Sequence, residues 1–159
     1  MAGGKSSIGE EIRQRKPFAS RGQELTVALL RTSDVVRRRI AQVVEREGIT
    51  LQQYNVLRIL RGARGEPLSA LEIGDRLIEQ TPGVSRLLER LVTKKLIRRD
   101  RAAADRRMIE CFITPKGLEV LARLDQAVTR ADETAVNMLT LRELDTLADL
   151  LERIREGPA

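Results

Sequence analysis

Histidine is absent from the 159 residues, and cysteine occurs once, as Cys111. Without imidazole there is no His general base, no Ser–His or Cys–His nucleophile pair and no imidazole metal ligand. A single thiol without histidine cannot build a structural zinc site. Nor can it close an internal disulfide, which suits a reducing cytoplasm. Aromatic side chains are scarce: Phe18, Tyr54 and Phe112, with no tryptophan. No apolar run approaches the ~18 residues of a membrane span, and the opening Met1–Ser7 lacks the apolar stretch of a secretory signal. Gly-rich phosphate loops of the Walker or dinucleotide type are missing, and the acids fall at helical spacings suited to surface ion pairs. The expectation is a cytoplasmic protein that is not an enzyme, with no cofactor, no metal and no membrane partner.

What is present is an ordinary mixture, 42% hydrophobic and 33% charged. It is enough for one globular domain, or one compact domain with a helical arm. The 29 basic residues exceed the 23 acidic ones by six, and that excess is local. Residues 81–107 hold nine cations, Arg86, Arg90, Lys94, Lys95, Arg98, Arg99, Arg101, Arg106 and Arg107, against Glu89, Asp100 and Asp105. The rest of the chain sums to zero, and the part from Pro115 onward is net acidic. A concentrated field of this kind suits a surface that meets polyphosphate; a merely solvated charged face is the alternative.

Hydroxyl caps and apolar spacing divide the chain. Ser20…Gln23, Thr50…Gln53, Ser69…Glu72 and Thr140…Glu143 have the form of capping boxes. Thr81-Pro82 and Thr114-Pro115 read as a cap followed by proline in the first turn. The spacing predicts a tail over 1–19 with a short helix near Gly9–Lys16, and a long helix from Arg21 to Glu47 stopped by Gly48. Further helices are expected over Leu51–Arg61, Ala70–Ile78 and from Pro82, the last burying Val84, Leu87, Leu88 and Leu91. Ile97–Asp100 and Met108–Ile113 are β-compatible, with Ile109, Cys111 and Ile113 on one face by period two. A helix from Pro115 carries Leu118, Leu121, Ala122, Val128, Ala131 and Ala135. The last, Leu141–Glu156, carries Leu144, Leu147, Leu151 and Ile154, a stripe without an obvious partner inside one small domain.

Helix, helix, turn, helix and hairpin make a winged helix-turn-helix over 49–114, with 20–48 and 115–159 as flanking helical segments. The fold class expected is mainly α with a small β-hairpin wing. The helix after the turn is the recognition helix, whose N-terminal turn at Thr81, Pro82 and Gly83 suits a phosphate. Its outward side holds Ser85, Arg86, Glu89 and Arg90; arginine can bridge guanine O6 and N7, and serine can meet a base or a phosphate. Pairing of Arg86 or Arg90 with Glu89 on a solvated helix is the bland alternative. At the wing, Arg101 and the tip Asp105-Arg106-Arg107 complete the candidate DNA contacts. The carboxylate can aim a guanidinium into a narrow minor groove, or form a surface ion pair that only stiffens the loop.

In order along the chain, LQQYNVL (51–57), LSALEI (68–73), TPGVSRLLERL (81–91), LIRR (96–99), DRR (105–107) and ITPKG (113–117) resemble the MarR-type transcriptional regulators, the multiple antibiotic resistance family. The family usually has glycine before the first wing strand, where this chain has Lys95. The resemblance implies a homodimeric regulator of double-stranded DNA, most often a repressor, that binds a pseudo-palindrome. It implies that Arg107 enters a minor groove with Asp105 orienting it, and that the N- and C-terminal helices dimerise, through Leu144, Leu147, Leu151 and Ile154. It also implies a small, often phenolic, anionic effector, for which Arg31, Arg38 and Tyr54 are the candidates. The competing reading is a winged-helix adaptor that has lost DNA binding, against which the local +6 counts. On an apolar strand face, Cys111 is expected to be buried and inert rather than redox-active.

Overall fold

The structure is a computed structural model and describes residues 7–79, 82–102 and 107–157. Thr81, Asp105 and Arg106 therefore lie outside the described residues, as does most of the Met1–Ser7 opening. The described elements run α1 (Ile8–Glu11), α2 (Arg21–Val44), a 3-10 turn (Glu45–Glu47), α3 (Leu51–Gly62), β1 (Leu68–Ser69), α4 (Ala70–Arg76), α5 (Val84–Thr93), β2 (Ile97–Arg101), β3 (Ile109–Ile113), α6 (Pro115–Val136) and α7 (Leu141–Glu156). No helix among them is long and apolar enough to cross a membrane. The chain forms two compact units, one up to Arg39 and one from Ile40, and α2 runs through both.

In the first unit, Ser7 and Glu10 form a reciprocal capping box that starts α1, a helix shorter than the Gly9–Lys16 expected. The Ser20 hydroxyl accepts from Gln23 N–H at 3.1 Å, but the Gln23 carbonyl oxygen takes Ala19 N–H rather than its own cap. Along α2, Leu25, Leu29 and Leu30 are exposed, so this end of the helix presents apolar surface to solvent.

The second unit holds the core: Val44, Val56, Leu57, Ile73, Leu88, Leu91 and Leu121 are each fully buried. Each such side chain contributes ~1.5–3 kcal/mol. Capping boxes at Thr50–Gln53, Ser69–Glu72 and Thr140–Glu143 close reciprocally. Thr114 caps α6 from the residue before Pro115, its hydroxyl accepting from Gly117 N–H at 3.1 Å. By contrast α5 begins at Val84, with Gly83 as a cap that has no side-chain bond. Pro82 thus precedes the helix instead of opening it. The α4 helix stops at Arg76, since Leu77 turns extended to bury its side chain.

The sheet has three strands in the order β1-β3-β2, both pairs antiparallel. β2 and β3 are the wing, with Arg99 opposite Cys111 and Arg101 opposite Ile109. β1 was not expected; it pairs Leu68 with Cys111 at the edge of β3. Two residues are too few for an alternating pattern. Ile109 shares the pleat of buried Cys111 but is exposed, because it lies out toward the wing tip beyond the core.

α6 buries Gly117, Val120, Leu121, Leu124 and Val128. Leu118 and Ala122, expected on that stripe, are exposed. What fixes this face is Gly117: a methyl there would lie 2.8 Å from Ile113 Cγ1 and overlap the Leu96 carbonyl oxygen. Bare backbone lets α6 reach the foot of the wing. Farther along, Arg61 on α3 donates through one nitrogen to both oxygens of Asp125, at 2.9 and 2.8 Å. Arg123 donates to Glu47 at 2.9 and 2.8 Å, and this bond holds the Glu47 carboxyl below its usual range against a smaller effect of burial.

Lys95 ends α5 in the left-handed conformation, φ 61°. Lys95 N–H donates to Val92 C=O at 2.8 Å and Leu96 N–H to Leu91 C=O at 3.0 Å, the paired bonds of a Schellman stop. Leu96 and Leu91 are both buried, as the motif's apolar contact requires. The family's glycine position therefore keeps its tight turn with lysine in it, at the steric cost that glycine avoids.

Candidate nucleic-acid interface

α5 sets three leucines, Leu87, Leu88 and Leu91, against the core. The opposite side leaves Ser85, Arg86, Glu89 and Arg90 exposed, as the spacing predicted. Among the described residues neither Arg86 nor Arg90 has a carboxylate within ion-pairing distance, so the alternative of a pairing with Glu89 is not what the helix shows. Two guanidiniums with ten N–H donors between them stand open to solvent on one helix face. Pro82 is exposed and Gly83 half-buried at the entry to this helix.

The wing carries its cations on two faces. On the outward pleat Arg98 stacks on Phe112, 3.9 Å from the ring centroid, and pairs with Asp100. Asp100 faces Glu110 across the strands, so Arg98 also relieves two like charges. Arg99 is on the inward pleat with Ile97 and is half-buried. It donates to the Ser85 carbonyl at 3.3 Å, while its Nε is buried without a partner among the described residues. Neither Arg98 nor Arg99 was assigned a role from sequence. For Arg99 a signal existed, since period-two alternation puts it on the same face as Ile97. Arg101 and Arg107 are exposed at the outer end of the wing.

Behind this surface, Lys94 Nζ donates to Gly48 C=O at 2.6 Å and Lys116 Nζ to Lys94 C=O at 3.1 Å. These two cations are used within the fold. Arg86, Arg90, Arg101 and Arg107 are exposed on α5 and the wing end, where the geometry can meet a phosphate-lined groove.

Cys111 is buried. Burial pushes its thiol above the ordinary range, although a bond and the charge from Arg99 pull the other way. Of the effector candidates, Arg31 donates from Nε to Glu11 at 2.7 Å and also approaches Asp34 at 3.8 Å. Arg38 pairs with the same Asp34. Partial burial raises the Asp34 pKa, but the bonds from Arg38 and Arg37 outweigh it and leave the carboxyl below its usual range. Tyr54, in the second unit, is buried with Arg58 5.8 Å above its ring, and burial holds its phenol above the usual value. On α7 no residue is buried, and Leu147 and Ile154 are 39% and 61% exposed. Of the four-residue stripe read from sequence, Leu147 and Ile154 are thus exposed and Leu144 and Leu151 half-buried.

A sequence profile of the MarR family matches residues 47–108. A Thauera aromatica protein named for transcriptional regulation of the hcr operon is 33% identical over 108 residues, 68% of this chain and 64% of that protein. The match thus spans under two thirds of that relative. The structure of MepR from S. aureus in complex with DNA superposes with a TM-score of 0.77 at 24% identity, covering 84% of this chain and 97% of that one; at that identity the likeness is one of fold. The crystal structure of a MarR transcription factor from Planctomyces limnophilus is 33% identical, with a TM-score of 0.66, and the match covers 86% of this chain and 98% of that one. A winged helix-turn-helix of this design, a third identical to a MarR factor along nearly that factor's whole length, belongs to the MarR family of transcriptional regulators.

Proposed function

We propose that the protein is a cytoplasmic, sequence-specific DNA-binding regulator that acts as a homodimer on a pseudo-palindromic operator. The observation that carries this reading is the open pair Arg86 and Arg90 on α5, with exposed Arg101 and Arg107 on the wing, within the segment that holds the chain's whole excess of positive charge. α5 enters the major groove, with Arg86 and Arg90 toward base edges and phosphates. The wing follows the backbone, and Arg107 enters the adjoining minor groove.

Dimerisation is supported by α7, whose apolar stripe Leu144, Leu147, Leu151 and Ile154 is not buried within the chain. The regulator acts as a repressor, because a dimer spanning successive grooves of a promoter blocks its use. A small anionic or phenolic effector lowers operator affinity, and Arg31 and Arg38, gathered on Asp34, are the cations that would hold it.

The test is selection of bound fragments from a genomic library, then gel-shift titration of the recovered duplex across salt concentrations and a panel of small aromatic anions. Log affinity should fall linearly with log salt, steeply enough for several phosphates per half-site. A monomeric protein that enriches no duplex even at low ionic strength would refute the reading.

A further inference from the structure

Arg99 is in an expensive place. On the inward pleat of β2 its neighbour is Ile97, and the residues across the ladder are Cys111 and Ile113. An apolar side chain on that face would have no donors to satisfy. Instead a guanidinium is half-buried, with one nitrogen shielded from water and unpaired. A buried donor left unsatisfied costs ~1–3 kcal/mol. Besides its contact with the Cys111 thiol across the ladder, the arginine makes a bond from Nη2 to the carbonyl of Ser85, in the first turn of α5 and next to Arg86.

We propose that Arg99 is a positioning residue that fixes the wing to the N-terminal turn of the recognition helix, so that the groove-reading arginines of α5 and of the wing tip engage DNA as one rigid unit. The proposal rests on the DNA-binding reading above. β2 touches α5 through this side chain, and β3 holds β2 in register from Ile113 out to Ile109. The Arg99 bond is thus a mid-strand tie between the wing and the first turn of α5, separate from the links at the end of that helix. Arg99 reads no base and touches no phosphate; its effect passes through Arg86 and Arg107.

The test compares Arg99→Met, which keeps the bulk and removes the donors, with Arg99→Lys, which keeps one donor. In the free protein, hydrogen exchange at the β2 and β3 amides should quicken toward the tip in Arg99→Met and return toward the parent rate in Arg99→Lys. On DNA, Arg99→Met should lose specific affinity by about ten-fold, with non-specific affinity and salt slope unchanged.

Unchanged exchange in a folded Arg99→Met overturns the proposal whatever happens on DNA. Equal losses of specific and non-specific affinity with a shallower salt slope overturn it too, since Arg99 would then be a phosphate contact. If the parent protein binds no duplex, the DNA-binding reading falls, and faster wing exchange in Arg99→Met would still support the mechanical link.

Discussion

Replacing Gly117 by alanine should destabilise the protein even though alanine is the better helix former. The new methyl would sit 2.8 Å from Ile113 Cγ1 and 3.3 Å from the Leu96 carbonyl carbon, and inside the contact distance of the Leu96 oxygen. Carbon–carbon contacts are comfortable at ~3.5–4.0 Å, so something must move by the better part of an ångström. The obstruction is backbone, and the same Leu96 oxygen accepts Thr114 N–H at 3.1 Å. Overpacking of this kind costs ~1–3 kcal/mol, against which helix propensity returns at most ~1 kcal/mol. A clash with backbone puts the cost at the upper end, about 2–3 kcal/mol, so the net is about 1–2 kcal/mol, a fall in Tm of roughly 2–8 °C for a chain of this length.

The assay is thermal unfolding followed by circular dichroism at one protein concentration, with Gly62→Ala as the control. Gly62 ends α3, and a methyl placed on it would meet nothing within 4 Å, so its substitution should leave Tm unchanged or slightly raised. A Gly117→Ala protein that melts at or above the parent temperature would refute the packing argument.

Lys95→Gly should raise stability by up to ~1 kcal/mol, because glycine adopts the left-handed turn without the Cβ clash; a shift of the urea midpoint at constant slope checks it. Arg107→Ala should weaken operator binding by ~1–3 kcal/mol at the base pairs under the wing, leaving the fold intact; equal affinity in a gel-shift titration would remove Arg107 from the interface. Leu147→Asp with Ile154→Asp should halve the mass seen by sedimentation equilibrium, and an unaltered mass would place the dimer contact elsewhere. Burial raises the Cys111 pKa, so the unfolded chain ionises first. Stability from this group is full below the ordinary thiol range and is lost as pH rises through the folded value. Alkaline urea titrations of the parent should show that loss, and those of Cys111→Ala should not.

Much of this architecture was legible because its punctuation is local. Thr50 with Gln53, Ser69 with Glu72 and Thr140 with Glu143 name both partners of a bond three residues apart, and all three boxes form. The exposed side of α5 followed from the leucines opposite it. Where the reading slipped, distant atoms decided. Thr81-Pro82 has the same letters as Thr114-Pro115, yet α5 starts after Gly83. The buried face of α6 was displaced by a residue or so, because its choice depends on how closely Gly117 approaches Leu96, and nothing local to α6 records that. β1 exists only through its pairing with β3. The uses of Arg98 and Arg99 depend on Phe112 and on Ser85 of another element, so a count of charges registered them without distinguishing them from the arginines exposed on α5.

The hydroxyl of Thr114 also donates to Lys95 C=O at 2.8 Å while capping α6. One side chain thereby welds the tail of α5 to the head of a 22-residue rod. Such a rod is about 33 Å long, and a lean of some 5° sweeps its far end through about 3 Å, close to the 3.4 Å rise between base pairs. In a dimer of the proposed kind, a small change in how the long rods cross would shift the paired reading surfaces out of step with the duplex by nearly one rung.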